Sequence, residues 1–289
     1  GYSTAILENT NCDVYGFDRD PEVLKYANKV KERYKNRFKF FQKKFSEIND
    51  MLSKQDCSKK KIKGMIFDLG VSNLQLTKKN RGFSFKFDGP LDMRMSKDGI
   101  MAFDVINNYS AEKLSNIFYN LGDEIFSRRV ARNIIKSREL NPITSTFELA
   151  DIIRKAIPGK KKKIDKATKT FQAIRMFIND EMSELNKGLI ASEKFLTSGG
   201  ILCVVSFHSK EDRTVKNFLN ECQGKSNLHV SKFLPPHENS KKSFEVITKK
   251  PIVPSAEEVK INNKARSAKL RIAKRTNFSA IFDHEAAAW

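Results

Sequence analysis

The chain of 289 residues predicts an α/β fold built on a parallel sheet. Short apolar segments typical of strands alternate with segments of helical apolar spacing, and this alternation is characteristic of βαβ units. Acidic residues directly follow two of the predicted strands, Asp18 after one and Asp68 after another. Because ligands of open α/β sheets bind outside the carboxyl ends of the strands, these acids mark a candidate binding edge.

The first third of the chain contains three predicted strands: Asp13–Phe17, Phe38–Phe41 and Ile62–Phe67. Between the first two, Asp20 and Pro21 predict the start of a helix, since Asp caps helices and Pro is tolerated at their first position. Gly1–Leu7 predicts a turn leading into a helix, whereas a nucleotide-binding sheet ordinarily begins with a strand and a glycine-rich turn. We therefore expect that a first strand is missing from this sequence.

On this view Asp18 ends the second strand of the sheet, where an acid typically accepts hydrogen bonds from ribose hydroxyls. An ordinary turn aspartate is the alternative, and Asp20 illustrates it as a helix cap. NAD and S-adenosylmethionine both contain an adenosine ribose. Asp18 alone therefore does not separate a dehydrogenase from a methyltransferase.

From Phe103 the pattern becomes helical, with Ser110 and Thr146 as candidate caps. A strand, Ile201–Ser206, then resumes the sheet. The helices between the strands predict an inserted helical subdomain, from about Phe103 to Ala167. The predicted helices are Ala111–Leu121, Glu124–Ser137, Thr146–Ala156 and Thr168–Leu196.

Two segments carry candidate functional groups. The run after Asp68, through the aromatic and charged stretch Arg81–Met95, is a long loop of the kind that is usually functional. His208 follows the strand Ile201–Ser206 and belongs to the same predicted edge. The sequence has neither the Gly-x-Ser-x-Gly elbow of a serine hydrolase nor the motif of a zinc deaminase, so we expect His208 to order its loop or to contact RNA.

Composition favours a polyanionic partner. The chain has 54 Lys and Arg against 34 Asp and Glu, a formal charge of +20. Such an excess attracts nucleic acid, although compositional bias toward Lys gives the same count. We expect no membrane segment, because no apolar run reaches eighteen residues. Four scattered cysteines without Cys-x-x-Cys spacing indicate reduced thiols in a cytoplasmic protein.

The carboxyl-terminal part begins with an extended arm, Phe233–Ile261, that is rich in proline and charge. The segment Asn262–Arg275 then supplies several cations, which beside a cleft would bind phosphates without reading sequence; a solvated helix face is the ordinary alternative. His284–Trp289 is expected to be an unstructured end. The candidate RNA ligands in this half of the chain are His208, Arg213, Arg266, Lys269 and Arg271.

Three segments of the chain resemble motifs of one known family and occur in the same order as in that family. They are Asp68–Leu76 with Arg81–Met95, Ser206–Arg213, and Asn263–Arg271. Together they resemble the bacterial small-subunit ribosomal RNA cytosine-N4 methyltransferases of the MraW type, from Gly1 to about Arg275. The departures from the family pattern are Tyr2 in place of His, Asn73-Leu74 in place of Ser-Pro, and Lys210 in place of Leu.

The resemblance implies a class I, Rossmann-like methyltransferase fold that uses S-adenosylmethionine and carries a helical insertion for substrate recognition. It implies N4-methylation of a cytidine in small-subunit ribosomal RNA, as free RNA or in the assembled subunit. The expected division is a cofactor-binding part (1–102), the insertion (103–167), the remainder with a basic arm (168–275) and a tail (276–289). The cofactor contacts implied by position are Gly1, Tyr2, Asp18, Phe45, Asp68 and Gln75.

The chemistry requires an acceptor that orients the cytosine amine, because the lone pair of that amine is delocalised into the ring. Asp88 and Asp92 are the candidates for the acceptor, and Phe85 is the candidate for stacking on an extruded base. Both aspartates are alternatively turn residues. No metal is implied. A non-catalytic RNA-binding module is the alternative function, and a nicotinamide-dependent oxidoreductase is a weaker one.

Overall fold

The computed structural model describes residues 1–54, 61–159, 164–225 and 242–282. Part of the predicted arm (233–241), Cys57 and the predicted end His284–Trp289 lie outside the described residues. Within them are twelve α-helices and six strands. The helices are α1 (Tyr2–Asn9), α2 (Leu24–Tyr34), α3 (Ile48–Lys54), α4 (Asn73–Thr77), α5 (Ala102–Asn108), α6 (Ala111–Gly122), α7 (Ser127–Arg138), α8 (Thr146–Ala156), α9 (Thr168–Ile178), α10 (Glu181–Phe195), α11 (Ser209–Cys222) and α12 (Ala256–Ile261). The strands are β1 (Val14–Phe17), β2 (Phe38–Phe41), β3 (Ile62–Asp68), β4 (Leu196–Ser206), β5 (Phe244–Val246) and β6 (Lys269–Arg275).

The chain forms two compact units. The first unit consists of Gly1–Lys43 and Val71–Glu181, and the second of Lys44–Gly70 and the chain from Met182 onward. The helices of 103–167 thus belong to the same unit as the amino-terminal strands. The division predicted at 102, 167 and 275 stays a prediction, because it concerns which segment binds cofactor or RNA.

The amino-terminal part of the first unit is a parallel β–helix–β arrangement, as predicted. β1 and β2 pair in parallel, from the pair Val14–Phe38 to the pair Phe17–Phe41. Both strands therefore end at the same edge of their sheet, and α2 connects them. Their small apolar core contains Leu7, Ala27 and Phe38.

The second part of the first unit is helical, and its core is larger. Helices α6 and α9 approach so closely at Gly122 that a Cβ atom there would lie 2.6 Å from the carbonyl oxygen of Lys169. Only glycine permits this approach. Fully buried side chains of the cluster include Met93, Val105, Leu114, Phe118, Ile134, Leu149 and Ile174.

Three predicted helix starts can be compared with the structure. The side chain of Asp20 accepts a hydrogen bond from the backbone two residues on, and that of Ser110 from the backbone three residues on, so both predicted caps are confirmed. The prediction that Thr146 caps α8 is wrong. Ser145 is the cap, and Thr146 is buried as the first helical residue.

The single helix predicted over Thr168–Leu196 is also wrong. The chain breaks at Asn179 and Asp180 between α9 and α10, and Asp180 has a φ of +48°. The apolar stripe continues across the break, which is why periodicity does not reveal it. The side chain of Asn179 instead bonds to backbone groups of another loop, at Met93 and Met95.

The sheet of the second unit has the order β3-β4-β6-β5. β3 and β4 are parallel, as predicted, whereas β6 runs antiparallel to both β4 and β5. The alternative of a solvated helix face over Asn262–Arg275 does not hold for its second half, because Lys269–Arg275 is a strand. Leu270 and Ile272 alternate with Lys269 and Arg271, and this period of two is the strand signal that the cationic composition obscured.

In the described part of the chain, no helix combines the length and the apolar character that crossing a bilayer requires.

Candidate active site

Asp18 lies directly after β1, where its backbone N–H donates to the carbonyl of Phe41 (N···O 3.3 Å). Its Oδ1 accepts a hydrogen bond from the backbone N–H of Asp20 (2.8 Å). Desolvation raises the pKa of the Asp18 carboxyl, and the charge of Asp20 adds to the rise, against the lowering effect of that hydrogen bond. The structure thus confirms that Asp18 lies at a strand's carboxyl end, while its contact with ribose stays a prediction.

The other first-unit residues predicted to contact cofactor lie at helix starts. Gly1 caps α1 and Tyr2 is its first residue, and both are exposed. Gln75 is buried, and its side-chain amide both accepts and donates a hydrogen bond. Its Oε1 accepts from the backbone N–H of Ser72 (2.9 Å), and its Nε2 donates to Oδ2 of Asp20 (2.7 Å). Gln75 therefore ties α4 to the turn that carries Asp18, and its predicted cofactor contact remains untested.

Asp88 anchors the segment Arg81–Met95 to the start of α8. Its Oδ1 accepts hydrogen bonds from the backbone N–H groups of Gly89 and Phe147, both at 3.1 Å. A hydrogen bond from Ser145, followed by these backbone donors, holds the pKa of Asp88 below its ordinary value. Asp88 is therefore an exposed carboxylate that anchors a helix start, and its role as an acceptor for the amine stays a prediction.

Asp92 is held by Arg94. The guanidinium donates from Nε to Oδ1 (2.9 Å) and from Nη2 to Oδ2 (3.0 Å), and the Arg94 backbone N–H also donates to Oδ1 (2.9 Å). Desolvation raises the pKa of Asp92, but the hydrogen bonds and charge of Arg94 outweigh it, so the pKa is lowered. Since a carboxylate has about four lone-pair sites, about one on Oδ2 is left for another donor.

Phe85, the predicted stacking residue, packs on the helical core. Its ring meets that of Phe171 edge-on, with centroids 4.9 Å apart, and the Arg154 guanidinium lies 5.5 Å from its centroid. These contacts orient the ring from α9 and α8. Stacking on a base stays a prediction.

In the second unit, the carboxyl ends of β3 and β4 bring Asp68 and His208 to one edge, as predicted. Asp68 pairs with Val205 across the ladder, and Gly70 follows at φ +82°, a conformation that glycine adopts without strain. The position of a Cβ atom on Gly70 lies 4.0 Å from Oε1 of Glu211. Desolvation, and then the charge of Glu211, raises the pKa of Asp68, although the residue stays accessible to solvent.

His208 is the cap of α11. Its Nδ1 accepts from the backbone N–H of Glu211 (3.3 Å), while the buried Glu211 carboxylate accepts from the backbone N–H groups of Phe207 (2.8 Å) and His208 (3.3 Å). The loop-ordering role predicted for His208 is therefore visible in the structure. Its Nε2 is buried 3.1 Å from Oε1 of Glu211, without the alignment of a hydrogen bond. RNA contact by His208 stays a prediction.

Phe45 is fixed beside Phe67 near the end of β3. The two rings meet edge-on with centroids 5.1 Å apart, and a Cβ on Gly188 of α10 would lie 2.9 Å from the Phe67 ring. The buried Glu184 carboxylate accepts hydrogen bonds from the backbone and hydroxyl of Ser46, which holds this turn on α10. Phe45 is half-buried, and its contact with the cofactor stays a prediction.

The five candidate RNA ligands differ in what holds them. Arg271 and Lys269 point to the same face of β6 and share the Asp212 carboxylate, at 2.7 Å and 3.1 Å. Arg271 is buried, whereas Arg213 and Arg266 are exposed on α11 and the 3₁₀ turn before β6. The two exposed arginines are therefore better placed to meet a phosphate.

A second cationic surface was not identified from the sequence. The exposed face of α7, opposite buried Val130, Ala131 and Ile134, carries basic residues that form no ion pair within the described part of the chain. Like charges at i, i+4 destabilise a helix by about 0.2–0.5 kcal/mol per pair, so this face carries a cost that a partner would relieve. The basic residues of this face recur at spacings of three, four and seven residues, and that pattern could have revealed the surface from the sequence. We call these residues the α7 cations: Arg128, Arg129, Arg132 and Lys136.

Comparison with known proteins agrees with this geometry. The family model described as the MraW methylase family matches residues 1–276. The ribosomal RNA small subunit methyltransferase H of Rickettsia bellii (strain RML369-C) is 47% identical over 277 residues, which cover 95% of this chain and 89% of the relative. The protein of the same name from Rickettsia canadensis is 47% identical over 276 residues (95% and 88%), and that from Rickettsia typhi is 45% identical over 277 residues (95% and 89%). The chain therefore belongs to the MraW methylase family.

Proposed function

We propose that this protein transfers the methyl group of S-adenosylmethionine to the exocyclic N4 of a cytidine in small-subunit ribosomal RNA. The observation that carries the proposal is the family match over residues 1–276. The carboxylates of Asp18 and Asp68, each at the carboxyl end of a parallel strand and each with a raised pKa, support it. The substrate is the free RNA or the assembled small subunit, and we expect the reaction in the cytoplasm, where such RNA is found.

The side chains present suit S-adenosylmethionine chemically. Asp18 offers a carboxylate to ribose hydroxyls, Asp68 offers one to the ammonium group of the amino-acid moiety, and Phe45 offers an aromatic face to adenine. When bound, the cofactor supplies an electrophilic methyl group. The residues then have to bind and align it, because in-line displacement gains much of its rate from orientation.

The amine requires an oriented acceptor. Asp92 accepts three hydrogen bonds and retains about one lone-pair site on Oδ2, whereas Asp88 interacts with the backbone N–H groups of Gly89 and Phe147 and with the side chains of Ser145 and Thr146. A carboxylate with a lowered pKa is a weak base but a good hydrogen-bond acceptor, so it would orient the N–H and stabilise the positive charge that develops on nitrogen. Of the two candidates, Asp92 is favoured by its open site.

RNA binding is supported by two groups of exposed cations, namely the α7 cations and the pair Arg213 and Arg266. Contacts of this type position an RNA through its phosphates and release counterions, so binding weakens as salt rises. Sequence selection would then depend on bases that the enzyme unstacks.

The proposal is tested with radiolabelled S-adenosylmethionine and small ribosomal subunits, or their RNA, from cells lacking the modification. We expect label on N4 of a single cytidine, identified by nuclease digestion and chromatography. A chain that binds RNA and cofactor but transfers no methyl group would instead favour the non-catalytic RNA-binding module. Transfer to a carbon or ribose position would contradict the proposed chemistry.

The contribution of the α7 cations is measured separately. The double variant Arg128→Gln/Arg132→Gln should weaken RNA binding and lower the slope of log affinity against log salt by about 0.7–0.9 for each phosphate that is no longer neutralised. The matched control is Lys29→Gln/Lys31→Gln on α2, which removes the same charge from another exposed helix. Equal slopes for the two double variants would show that only net charge matters.

A further inference from the structure

Arg81 is a buried cation at the start of the segment Arg81–Met95. Its side chain is only 3% exposed, and its guanidinium reaches two parts of the first unit at once. Nη1 donates to Oδ2 of Asp20 (2.9 Å), and Nη2 donates to the carbonyl oxygens of Arg94 (2.9 Å) and Met95 (3.0 Å). One side chain thus connects the turn after β1 with the end of the segment that carries Asp92.

The burial of this ion pair is not explained by stability alone. Replacing a buried ion pair by apolar residues is often neutral or stabilising. In addition, Nε of Arg81 is buried without a hydrogen-bond partner within the described part of the chain, and an unsatisfied donor is itself destabilising. A cation that is retained under these conditions indicates that the guanidinium is needed to orient the groups to which it donates.

Asp20 transmits this orientation to Asp18. The Asp20 carboxylate is 1% exposed and accepts from Arg81, from Nε2 of Gln75 (2.7 Å) and from the backbone N–H of Glu22 (3.0 Å). The backbone N–H of the same residue donates to Oδ1 of Asp18. Fixing Asp20 on both sides therefore fixes one oxygen of the Asp18 carboxylate.

Asn179 completes the connection at the other end. Its Nδ2 donates to the carbonyl of Met93 (2.8 Å), and its Oδ1 accepts from the backbone N–H of Met95 (2.8 Å). Arg19, the neighbour of Asp18, donates from Nη1 to the Asn179 carbonyl (2.6 Å). The break between α9 and α10 thus places a buried amide where it holds the backbone beyond Asp92.

The hydrogen bonds around Met93 maintain a strained backbone conformation. It is fully buried with φ +61°, a left-handed conformation that is uncommon for a residue with a long side chain. Its N–H donates to the carbonyl of Arg81 (3.0 Å), and its own carbonyl accepts from Asn179. Backbone strain that the surroundings maintain is concentrated at functional sites, and here it directly follows Asp92.

We propose that Arg81 and Asn179 are positioning residues that fix the Asp18 carboxylate and the Asp92 carboxylate relative to each other. The inference rests on the proposed function, in which Asp18 holds the cofactor ribose and Asp92 orients the target amine. Neither positioning residue touches a substrate. Each acts through the Asp18 and Asp92 carboxylates, whose positions it fixes.

The test is a double-mutant cycle on S-adenosylmethionine affinity, measured by calorimetry on the full chain. Arg81→Lys retains a charge for Asp20 but cannot reach both carbonyl groups with a planar fork. We expect it to weaken cofactor binding about tenfold and to lower kcat for RNA methylation by a similar factor. In an Asp18→Ala background, the same substitution should change cofactor affinity less than twofold.

The matched control is Arg138→Lys, since Arg138 is a partly buried arginine of the first unit that also donates to a backbone carbonyl, from Nη1 to Ile106 (2.6 Å). It should lower thermal stability without changing cofactor affinity or kcat. Additive effects of Arg81→Lys and Asp18→Ala would overturn the proposal, because a merely structural role does not require Asp18.

Should Arg81→Lys fail to fold by circular dichroism, Asn179→Ser is measured in its place against Asp18→Ala, with the same expected departure from additivity. A wild-type chain that binds cofactor without methylating RNA would refute the proposed function and still allow the cycle to decide the positioning role. A wild-type chain that binds no cofactor would refute both.

Discussion

Removing the guanidinium of Arg271 should destabilise the protein rather than weaken RNA binding selectively. Nε of Arg271 lies 2.7 Å from Oδ1 of Asp212, and the two side chains are 8% and 13% exposed. The hydrogen bonds and charges of Arg271 and Lys269 lower the pKa of Asp212 against the effect of desolvation. Arg271→Ala would leave the Asp212 carboxylate paired with Lys269 but without its guanidinium partner.

The expected magnitude follows from this geometry. Removing one partner of a fully buried pair costs about 3–5 kcal/mol. Lys269 remains 3.1 Å from Oδ2 of Asp212, and some solvent reaches the site, so we expect about 2–3 kcal/mol. The midpoint of urea unfolding should then fall by roughly 1 M.

The control for this prediction is Arg266→Ala, in the 3₁₀ turn Asn263–Ser267 that precedes β6. Arg266 is exposed, so its removal should change the free energy of unfolding by no more than about 0.5 kcal/mol. It should instead lower the salt slope of RNA binding, as should Arg213→Ala. If Arg271→Ala left the unfolding midpoint unchanged and lowered the salt slope, the ion-pair argument would be refuted and Arg271 would be a phosphate ligand.

Three further predictions concern the candidate site. Asp18→Asn should weaken S-adenosylmethionine binding by about 10- to 100-fold, since a charged hydrogen bond contributes about 1.5–3 kcal/mol, while Glu32→Gln on exposed α2 should have no effect in the same titration. Because desolvation and Glu211 raise the pKa of Asp68, its carboxylate should become protonated, and cofactor affinity should fall, at a higher pH than for an ordinary aspartate; Asp68→Asn should remove that part of the pH dependence in calorimetry. Asp92→Ala should lower methyl transfer by about 10²-fold with RNA and cofactor affinity unchanged, and a variant of normal rate would exclude Asp92 as the acceptor.

Much of the fold was accessible from sequence because its signals are local. Strand composition, helical spacing and the Asp20-Pro21 and Ser110 caps depend on neighbouring residues, and the structure confirms them. The class is confirmed in the same way, as the mixed α/β chain with inserted helices of a Rossmann-like methyltransferase family. Family motifs in register identified the methyltransferase and its cofactor without any contact being known.

What the sequence did not determine depends on contacts between distant residues. The stripe over Thr168–Leu196 is continuous, yet Asn179 breaks the helix because its amide bonds to Met93 and Met95, more than eighty residues away in the chain. Likewise, the sequence predicts that Arg271 is a surface cation. In the structure, the pairing of β6 with β4 brings its side chain against Asp212. Charge and periodicity are properties of a sequence. Whether a charged or amide group faces solvent or a buried partner is decided only by tertiary packing, because only packing determines which distant groups share the same desolvated space.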